Sequence, residues 1–251
     1  GYRYIRENPM IKGNPKLRRY TTIYPKTVYT INSWGDYGAY GHNLLKQSNN
    51  SKLGKVVNKG AFKGKPLYSL SLVERLMGCP KSCHHWESCY GNNMPFAHRF
   101  KTDKRKKVFR DILEYEIGNL LKKHKQGIHI RLHVLGDFYS RAYAWFWGYI
   151  VSHYKNVSVY GYTAHKPDSA IGHTINSVIN MLGFENFAIR FSNANVKLSA
   201  NSTEYKPKLM SSKNVSLKSI QCPEQENKVL NCVNCALCWN IKVESILFST
   251  H

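Results

Sequence analysis

The sequence predicts an α/β fold in which βαβ units form a parallel sheet. Such a sheet can be open or can curve into a partial barrel. The first observation behind this prediction is that segments with strand-like alternation and segments with helical periodicity follow each other in turn between residues 104 and 191. The second is that polar residues follow the predicted strands at their carboxyl ends, as in parallel sheets. A chain of 251 residues can bury a substantial core, so it needs no disulfide bonds to stay folded. We divide the chain into a basic, loop-rich N-terminal arm at 1–66, an α/β core with a cysteine loop at 67–194, and a surface crossing with a C-terminal cysteine cluster motif at 195–251.

The N-terminal arm is basic and aromatic. It carries 13 Lys and Arg residues against two acids, with tyrosines and a tryptophan between them. Cations hold phosphates while rings stack on bases, so the arm suits contact with nucleic acid. The alternative is that the rings pack the arm onto the core. Residues 27–31 are predicted to form a strand. The arm residues predicted to contact nucleic acid are Arg3, Arg6, Lys16, Arg18 and Arg19.

Strands and helices alternate through the core, which indicates parallel strands joined by helices. The apolar run at 67–73 is the first predicted strand. The later elements are predicted as a helix at 104–125 capped by Thr102 and Asp103, a strand at 128–134, a helix at 141–154, a strand at 157–162, a helix at 168–182 and a strand at 187–191. The apolar side of the first helix is predicted to carry Val108, Ile112, Tyr115, Leu120 and Leu121.

Three cysteines follow the first predicted strand directly. Cys79, Cys83 and Cys89 are spaced Cys-x3-Cys-x5-Cys, and we call residues 78–90 the first cysteine loop. Thiolates are metal ligands, so this loop is predicted to bind an iron–sulfur cluster or a zinc ion. A closed centre that staples the loop and a reactive centre with one open position both fit three cysteines. A histidine of the same loop or a group distant in sequence would be the fourth ligand of a closed centre.

Polar residues follow the later strands of the core at the points where those strands end. Asp137 follows the second strand, Lys166 the third and Asn193 the fourth. Functional groups collect at the carboxyl ends of parallel strands, so these three side chains are candidate catalytic residues beside the first cysteine loop. Gly136 and Asp137 are candidate cofactor-binding residues. For Asp137, capping of the helix that begins near Ser140 is the alternative.

The segment before the predicted helix at 104–125 is strongly basic. Cations at a helix start oppose the helix macrodipole, and this mismatch favours an anionic partner over a plain solvated face. We therefore predict a phosphate-binding face here. Its residues are Arg99, Lys101, Lys104, Arg105, Lys106 and Lys107.

Four further cysteines lie near the end of the sequence, in residues 222–239, which we call the second cysteine segment. Cys232, Cys235 and Cys238 are spaced Cys-x2-Cys-x2-Cys, and Cys222 is followed by proline. Such a run of three matches the core of ferredoxin-type cluster motifs. The spacing favours a cubane iron–sulfur cluster over zinc, which more often uses two separated pairs. With the first cysteine loop, the chain has ligands for one or two centres.

Composition limits the partners of the chain. It has 37 Lys and Arg against 15 Asp and Glu, a net charge of +22, and such a field attracts nucleic acid, whether DNA or RNA. A membrane partner is not expected, since no apolar run approaches the length of a spanning helix. The sequence has no secretory signal pattern, and its 7 cysteines at short spacings suit metal better than disulfides. We therefore expect a reducing, cytoplasmic location.

Four motifs together resemble one known family. They are Cys79-Pro80 to Cys89-Tyr90, the strand and turn from His133 to Ser140, the stretch from Tyr162 to Pro167, and Cys222-Pro223 with Cys232 to Trp239. Over roughly residues 65–240 the chain resembles the phage "gene product 88" family. The resemblance implies an origin in a phage or another mobile element, a location in the host cell, and a cysteine-bound cluster.

A weaker resemblance is to radical S-adenosylmethionine enzymes. In that family a cluster loop follows the first strand of a partial βα barrel and a Gly-Glu motif follows the second, where this chain has Gly136 and Asp137. The resemblance implies S-adenosylmethionine as a cofactor. The family's usual spacing is Cys-x3-Cys-x2-Cys, and this chain departs from it with 5 residues between Cys83 and Cys89.

The sequence is compatible with three functions. The first is a phage- or plasmid-type iron–sulfur protein that binds nucleic acid through its basic surface. The second is an enzyme similar to the radical S-adenosylmethionine family that acts on nucleic acid, with an open cluster at the first cysteine loop. The third is a structural or interaction module stapled by zinc.

Overall fold

The computed structural model describes residues 27–47, 51–75, 77–94, 96–205 and 218–249. Its strands are β1 (Val28–Thr30), β2 (Leu67–Ser69), β3 (Arg99–Lys101), β4 (Ile128–Leu132), β5 (Val157–Thr163), β6 (Phe187–Ser192), β7 (Ser199–Ser202), β8 (Ser219–Gln221) and β9 (Ser245–Phe248). Its helices are α1 (Trp34–Tyr40), α2 (Val108–Lys123), α3 (Arg141–His153), α4 (Ala170–Leu182) and α5 (Cys232–Cys235), with 3-10 turns at Tyr90–Asn93 and Thr203–Tyr205.

Seven strands form one sheet in the order β2-β4-β5-β6-β7-β9-β8. Each neighbouring pair is parallel. The prediction of an α/β fold with a parallel sheet is therefore confirmed. The sheet is open, with β2 and β8 at its edges, and is not closed into a barrel. β1 and β3 form a separate parallel pair.

The helices that connect the central strands lie on one face of the sheet. Ile130 of β4, Val159 of β5 and Ile189 of β6 belong to one buried cluster with Trp147 of α3 and Val178 of α4. When strand order follows chain order, right-handed crossovers place successive helices on the same side of a sheet. Across the described ranges, no helix combines the length and the apolar character needed to span a membrane.

Loop segments cover the opposite face of the sheet. Tyr160 of β5 and Ala188 of β6 point to this side and belong to a second buried cluster. Val57 from residues 51–66 and Trp239 from the second cysteine segment pack in the same cluster. The second cysteine segment therefore lies directly against the central strands.

The start of α2 differs from the prediction. The helix begins at Val108, its N-cap is Lys107, and no side chain caps it, so the predicted cap of Thr102 and Asp103 is wrong. Asp103 instead accepts a hydrogen bond from the backbone N–H of Arg105 at 3.0 Å and one from its guanidinium at 3.1 Å. Local bonds of this kind stabilise a turn in place of a further helical turn.

The buried face of α2 also differs from the predicted one. Tyr115 is 53% exposed, whereas Phe109 is fully buried. Glu116 is buried as well, because its carboxylate accepts the backbone N–H groups of Leu44 and Leu45 at 2.7 and 2.9 Å. Ile112 and Leu120 are buried as predicted, whereas an apolar pattern could not indicate the buried acid between them.

The described part of the arm packs on the core. β1 confirms the strand predicted at 27–31. Ile31, Tyr40 and Leu44 belong to the same buried cluster as the helices. The Tyr40 ring meets the Phe100 ring edge-on, with ring centroids 5.2 Å apart. For Tyr40, packing onto the core is therefore the correct alternative.

The strand β7 is polar, and no hydrophobic periodicity in the sequence indicates it. In β7, Ser199 and Asn201 are buried. The Asn201 side chain donates to the hydroxyls of Ser199 and of Ser245 in β9, both at 3.0 Å. Hydrophobic alternation cannot predict such a strand, because side-chain hydrogen bonds between neighbouring strands replace apolar contacts.

Candidate metal centres

The first cysteine loop is folded by successive turns. Cys83 donates its N–H to the carbonyl of Pro80 at 3.0 Å, Trp86 to that of Cys83 at 3.1 Å, and Asn92 to that of Cys89 at 2.9 Å. The turns shorten the path between the cysteines, and the thiols interact electrostatically with one another. The three thiols of the spacing pattern are therefore close enough to influence one another's charge.

Backbone N–H groups hydrogen-bond the sulfurs of this loop. The pairs are Cys79 with the N–H of Arg75, Cys83 with that of His85, and Cys89 with that of Gly91. Two of the three donors lie two residues after their cysteine. Donors directed at sulfur favour the charged thiolate, which is the form that binds metal.

Burial opposes ionisation of the same thiols. It raises the pKa of Cys83 to about 11 and also raises the pKa of Cys79 and Cys89. The carboxylate of Asp137 raises the pKa of Cys79 and Cys83 further. A nearby metal cation favours the thiolate form instead. The loop therefore combines three half-buried thiols with donors suited to the metal-bound form.

Two arginines hold the backbone of the first cysteine loop. Arg75 donates from Nε to the carbonyl of Trp86 at 2.7 Å and from Nη2 to the Asn92 side chain at 2.9 Å. Arg99 donates from Nη2 to the carbonyl of Gly91 at 3.0 Å. A guanidinium has five N–H donors in a fixed plane, so it can fix several points of a loop that lacks regular structure.

The second cysteine segment is tied to the sheet and to residues 51–66. Cys222, directly after β8, donates its N–H to the carbonyl of Leu247 in β9 at 2.8 Å. Cys232 donates to the carbonyl of Lys52 at 2.8 Å. These bonds bring Cys222 close to the later cysteines, and its thiol interacts electrostatically with theirs.

Hydrogen-bond donors also reach sulfurs of the second cysteine segment. The N–H of Leu237 bonds the Cys235 thiol, again two residues after the cysteine. The hydroxyl of Tyr162 in β5 donates to Cys238 Sγ at 2.8 Å. Burial raises the pKa of Cys235, Cys238 and Cys232. Both cysteine groups therefore share the same local chemistry.

Arg190 of β6 holds the end of the second cysteine segment. Its guanidinium is fully buried and donates to backbone carbonyls of one short stretch. The acceptors are the carbonyls of Cys238 at 2.8 Å, Val243 at 2.9 Å, Asn240 at 3.0 Å and Leu237 at 3.3 Å. The loop around Cys238 is therefore fixed by a side chain of the sheet itself.

Arg131 of β4 lies against two tyrosines of β5, near the second cysteine segment. Its guanidinium carbon is 4.2 Å from the ring centroid of Tyr162 and 5.3 Å from that of Tyr160. It interacts electrostatically with Tyr90, which adjoins Cys89, and with Cys238. No carboxylate of the described ranges forms an ion pair with it.

Asp137 joins the turns that follow β4 and β5. Its carboxylate accepts the N–H of Phe138 at 2.7 Å, the hydroxyl of Thr163 at 2.9 Å and the N–H of Ala164 at 2.7 Å. Burial raises the pKa of Asp137, while these donors oppose the rise. α3 is capped by Ser140, so the alternative of Asp137 as the helix cap is wrong. A role as acid or base stays a prediction.

The turns that follow β4 and β5 contact the first cysteine loop, whereas the predicted single site with Lys166 and Asn193 stays a prediction. His165, after β5, has Nε2 2.8 Å from the carbonyl oxygen of Phe138 and 3.0 Å from that of Gly78. Gly78 approaches the backbone of Asp137 so closely that a Cβ would collide with it. The loop therefore lies against the turn after β4, where the topology of a parallel sheet predicts functional groups.

The remaining candidates at this edge have structural contacts. Gly136 has φ +82°, and a Cβ there would lie 2.7 Å from Cβ of Leu72. Asn193 accepts the N–H of Ser202 at 2.7 Å. The carbonyl of Lys166 accepts the hydroxyl of the residue that caps α4. Their predicted roles in catalysis or cofactor binding stay predictions.

Two histidines lie on opposite faces of the sheet. Alternation in a strand at 128–134 predicts a shared face for His129 and His133, and this is wrong because β4 ends at Leu132. His129 stacks on Tyr160, with centroids 4.9 Å apart, on the cysteine side. His133 Nε2 lies 3.0 Å from the hydroxyl of Tyr143, on the helix side. Burial lowers the pKa of each histidine to about 3.

One predicted phosphate contact is wrong. Arg99 is 1% exposed, and its Nε lies 2.9 Å from the carboxylate of Glu74, so it cannot reach a phosphate on the surface. The exposed members of the predicted face are Lys101, Lys104, Arg105, Lys106 and Lys107. Two of them pair with acids nearby in sequence. Outside the described residues lie Arg3, Arg6, Lys16, Arg18 and Arg19.

The cysteine ligand sets stay predictions. All seven cysteines are free thiols. In the part of the chain that the structure describes, no group of three or more His, Cys, Asp or Glu side chains has an arrangement that could hold a metal ion as it stands. Sequence reasoning missed Arg131, Arg190 and Tyr162 around these thiols. A cation inside an otherwise apolar strand, such as Arg190 in Phe187–Ser192, is the sequence signal that could have indicated a buried arginine.

Comparisons with known proteins return one relationship. No curated protein and no solved structure matches the chain. The resemblance to radical S-adenosylmethionine enzymes is not confirmed. The family model described as Gene product 88 matches residues 43–241, a range that contains both cysteine groups and the central strands. Since this match covers well over half of the sequence, the chain belongs to the Gene product 88 family.

Proposed function

We propose that this phage-family protein is an iron–sulfur protein of the host cytoplasm that binds nucleic acid. The observation that carries the metal proposal is the grouping of four cysteines in the second cysteine segment, three of them buried, with hydrogen-bond donors directed at the sulfurs of Cys235 and Cys238. Cys222, Cys232, Cys235 and Cys238 would hold the cluster. When bound, it would staple the segment to the sheet or report the redox state of the cell.

The chemistry of these residues fits a metal centre better than ordinary buried cysteines. Isolated buried thiols need no N–H donors, whereas thiolates bound to metal are commonly stabilised by hydrogen bonds to sulfur. The first cysteine loop repeats this arrangement with three thiols. A second centre is therefore proposed at Cys79, Cys83 and Cys89.

Metal analysis of protein purified without oxygen tests this proposal. About four irons with matching sulfide are expected for one cubane cluster and about eight for two. Cys235→Ser and Cys83→Ser form a matched pair, each removing one thiol from one group. Loss of about half of the iron in each variant indicates two centres. Loss of iron from Cys235→Ser alone indicates one centre in the second cysteine segment.

Two outcomes would contradict the iron–sulfur proposal. A colourless protein with zinc alone would support the zinc-stapled module instead. A protein without metal, and with visible absorption unchanged after reconstitution with ferrous iron and sulfide, would exclude both metal centres.

The nucleic-acid part of the proposal is supported by net charge and by an exposed basic segment. The chain carries a net charge of +22, and Lys101, Lys104 and Lys106 are exposed in or before the turn that leads into α2. Binding should weaken steeply as salt rises, because phosphate contacts release counterions. Binding to double- and single-stranded DNA and RNA at several salt concentrations tests it. Absence of binding at low salt would contradict this part alone.

A second candidate function is an enzyme that uses S-adenosylmethionine. It is favoured by the position of the first cysteine loop at the carboxyl ends of the strands, in contact with His165 and Asp137. The cluster would supply reducing electrons, and the chain's own residues would bind and orient the cofactor. Incubation of reduced, anaerobic protein with S-adenosylmethionine tests it, and failure to produce any cleavage product excludes this function.

A further inference from the structure

Two buried cations face the second cysteine segment. Arg131 is 9% exposed and Arg190 is 0% exposed, and both project from central strands of the sheet. No ion pair with a carboxylate is found for either guanidinium in the residues that the structure describes. Burying a charge without an opposite charge is costly, so a negative group is expected nearby.

The two arginines differ in how their donors are used. The guanidinium of Arg190 donates hydrogen bonds to carbonyls of the loop around Cys238. Arg131 makes one long hydrogen bond of 3.4 Å to the carbonyl of Leu132 and otherwise lies against the ring of Tyr162. Of the two buried guanidinium groups, that of Arg131 therefore has fewer hydrogen bonds from the protein to stabilise its charge.

Tyr162 connects this cation to the cysteines. Its ring faces the guanidinium of Arg131, and its hydroxyl donates to Cys238 Sγ at 2.8 Å. Four thiolates around a zinc ion or a cubane cluster keep a net negative charge. Such a centre is the negative group that the buried arginines lack.

We propose that Tyr162 and Arg131 are positioning residues of the centre in the second cysteine segment. Tyr162 fixes the orientation of the Cys238 sulfur and donates to it, and Arg131 supplies the opposite charge that stabilises the thiolates. This inference rests on the proposed metal function of that segment. It adds two residues that control how tightly the metal is held and how readily the centre is reduced.

Matched substitutions of two tyrosines test the inference. Tyr160 and Tyr162 lie on the same face of β5, and Arg131 is close to both rings. The hydroxyl of Tyr160 is buried without a hydrogen-bond partner in the described structure, whereas that of Tyr162 donates to sulfur. Tyr162→Phe therefore removes the donor to sulfur, and Tyr160→Phe removes an equivalent hydroxyl without that contact.

The measurement is the rate at which excess EDTA removes metal from each anaerobic variant. Loss of groups that support metal ligands typically weakens metal binding by roughly 10- to 100-fold, so Tyr162→Phe should lose metal correspondingly faster than Tyr160→Phe. Arg131→Met should also lose metal faster, and Arg131→Lys should restore slow loss because it keeps the charge. In an iron-loaded protein, Tyr162→Phe and Arg131→Met should both have a more negative reduction potential.

The outcomes separate this inference from the function on which it rests. If the wild-type protein retains metal and Tyr162→Phe behaves like Tyr160→Phe in both release rate and potential, the assignment of Tyr162 and Arg131 is wrong while the metal function stands. If the wild-type protein retains no metal, both are overturned. Tyr162→Phe is a conservative change, so it decides the matter even if Arg131→Met does not fold.

Discussion

Arg99 and Glu74 form a buried ion pair at the base of the first cysteine loop, with Nε and Oε2 2.9 Å apart. Each side chain is 1% exposed. Removal of one partner leaves a buried charge unpaired, so we expect Glu74→Ala to lower the free energy of unfolding by about 3–5 kcal/mol. Urea denaturation followed by circular dichroism measures this change.

The control for this prediction is an exposed ion pair. Lys107 and Asp111 are 3.2 Å apart on the first turn of α2, with side chains that are 77% and 36% exposed. Asp111→Ala should change stability little, because solvent screens such pairs. If Glu74→Ala were as mild as Asp111→Ala, the buried pair would not stabilise the loop.

A second prediction concerns the contact between the first cysteine loop and the turn after β4. Gly78→Ala places a Cβ against the backbone of Asp137, and backbone cannot move aside as a flexible side chain can. We expect a loss of about 1–3 kcal/mol in unfolding free energy. Gly38→Ala, in α1 with no atom within 4 Å of the new Cβ, should stabilise the protein slightly. Equal effects of the two substitutions would contradict the close packing of this loop.

A third prediction is loss of stability in acid through the buried histidines. His129 has a pKa lowered from 6.5 to about 3 by burial, so it is neutral in the folded protein and protonated in the unfolded chain below pH 6.5. Its contribution is therefore present above pH 6.5 and is lost as the pH falls towards 3. The slope is at most about 1.4 kcal/mol per pH unit for each such histidine.

The test is the pH dependence of unfolding with one histidine removed. His129→Phe should make the dependence between pH 6.5 and 5 shallower, because the new ring fits beside Tyr160 and cannot bind a proton. His173→Gln, on the exposed side of α4, is the control for the replacement of a histidine. An unchanged slope in His129→Phe would show that this histidine does not contribute.

A fourth prediction concerns the basic segment before α2. Substitution of Lys104 and Lys106 by Gln should reduce the salt dependence of nucleic-acid binding by about two phosphate contacts. Lys122 and Lys123, exposed at the other end of the same helix, give a control pair with the same change in net charge. If both pairs reduce the salt dependence equally, binding depends on net charge rather than on this segment.

The sequence predicts the central part of the fold well, because its periodicity comes from burial. The strands at Ile128–Leu132, Val157–Thr163 and Phe187–Ser192 have apolar residues on the helix side, and their bounds are close to the predicted ones. The strand Ser199–Ser202 escapes prediction because its burial depends on hydrogen bonds to β9, about 45 residues later in the chain.

The candidate site is predictable for its cysteines and not for the groups around them. Close spacing identifies Cys232, Cys235 and Cys238 without any structure. Tyr162 and Arg190 both hydrogen-bond Cys238, although they lie 76 and 48 positions before it in the sequence. The fold of the sheet brings these distant residues into contact. Local patterns do not contain such pairings, since these depend on which strands are neighbours.

β9 follows β8 along the chain, yet it lies between β7 and β8 in the sheet. Among the described strands, β8 pairs with β9 alone. On the ribosome, the strands up to β7 can pair as they emerge, but β8 must wait for residues 245–248. The backbone N–H of Cys222 can therefore bond the carbonyl of Leu247 only after that residue has been added to the chain. A chain halted before Ser245 would expose the outer edge of β7, a template for pairing with other chains.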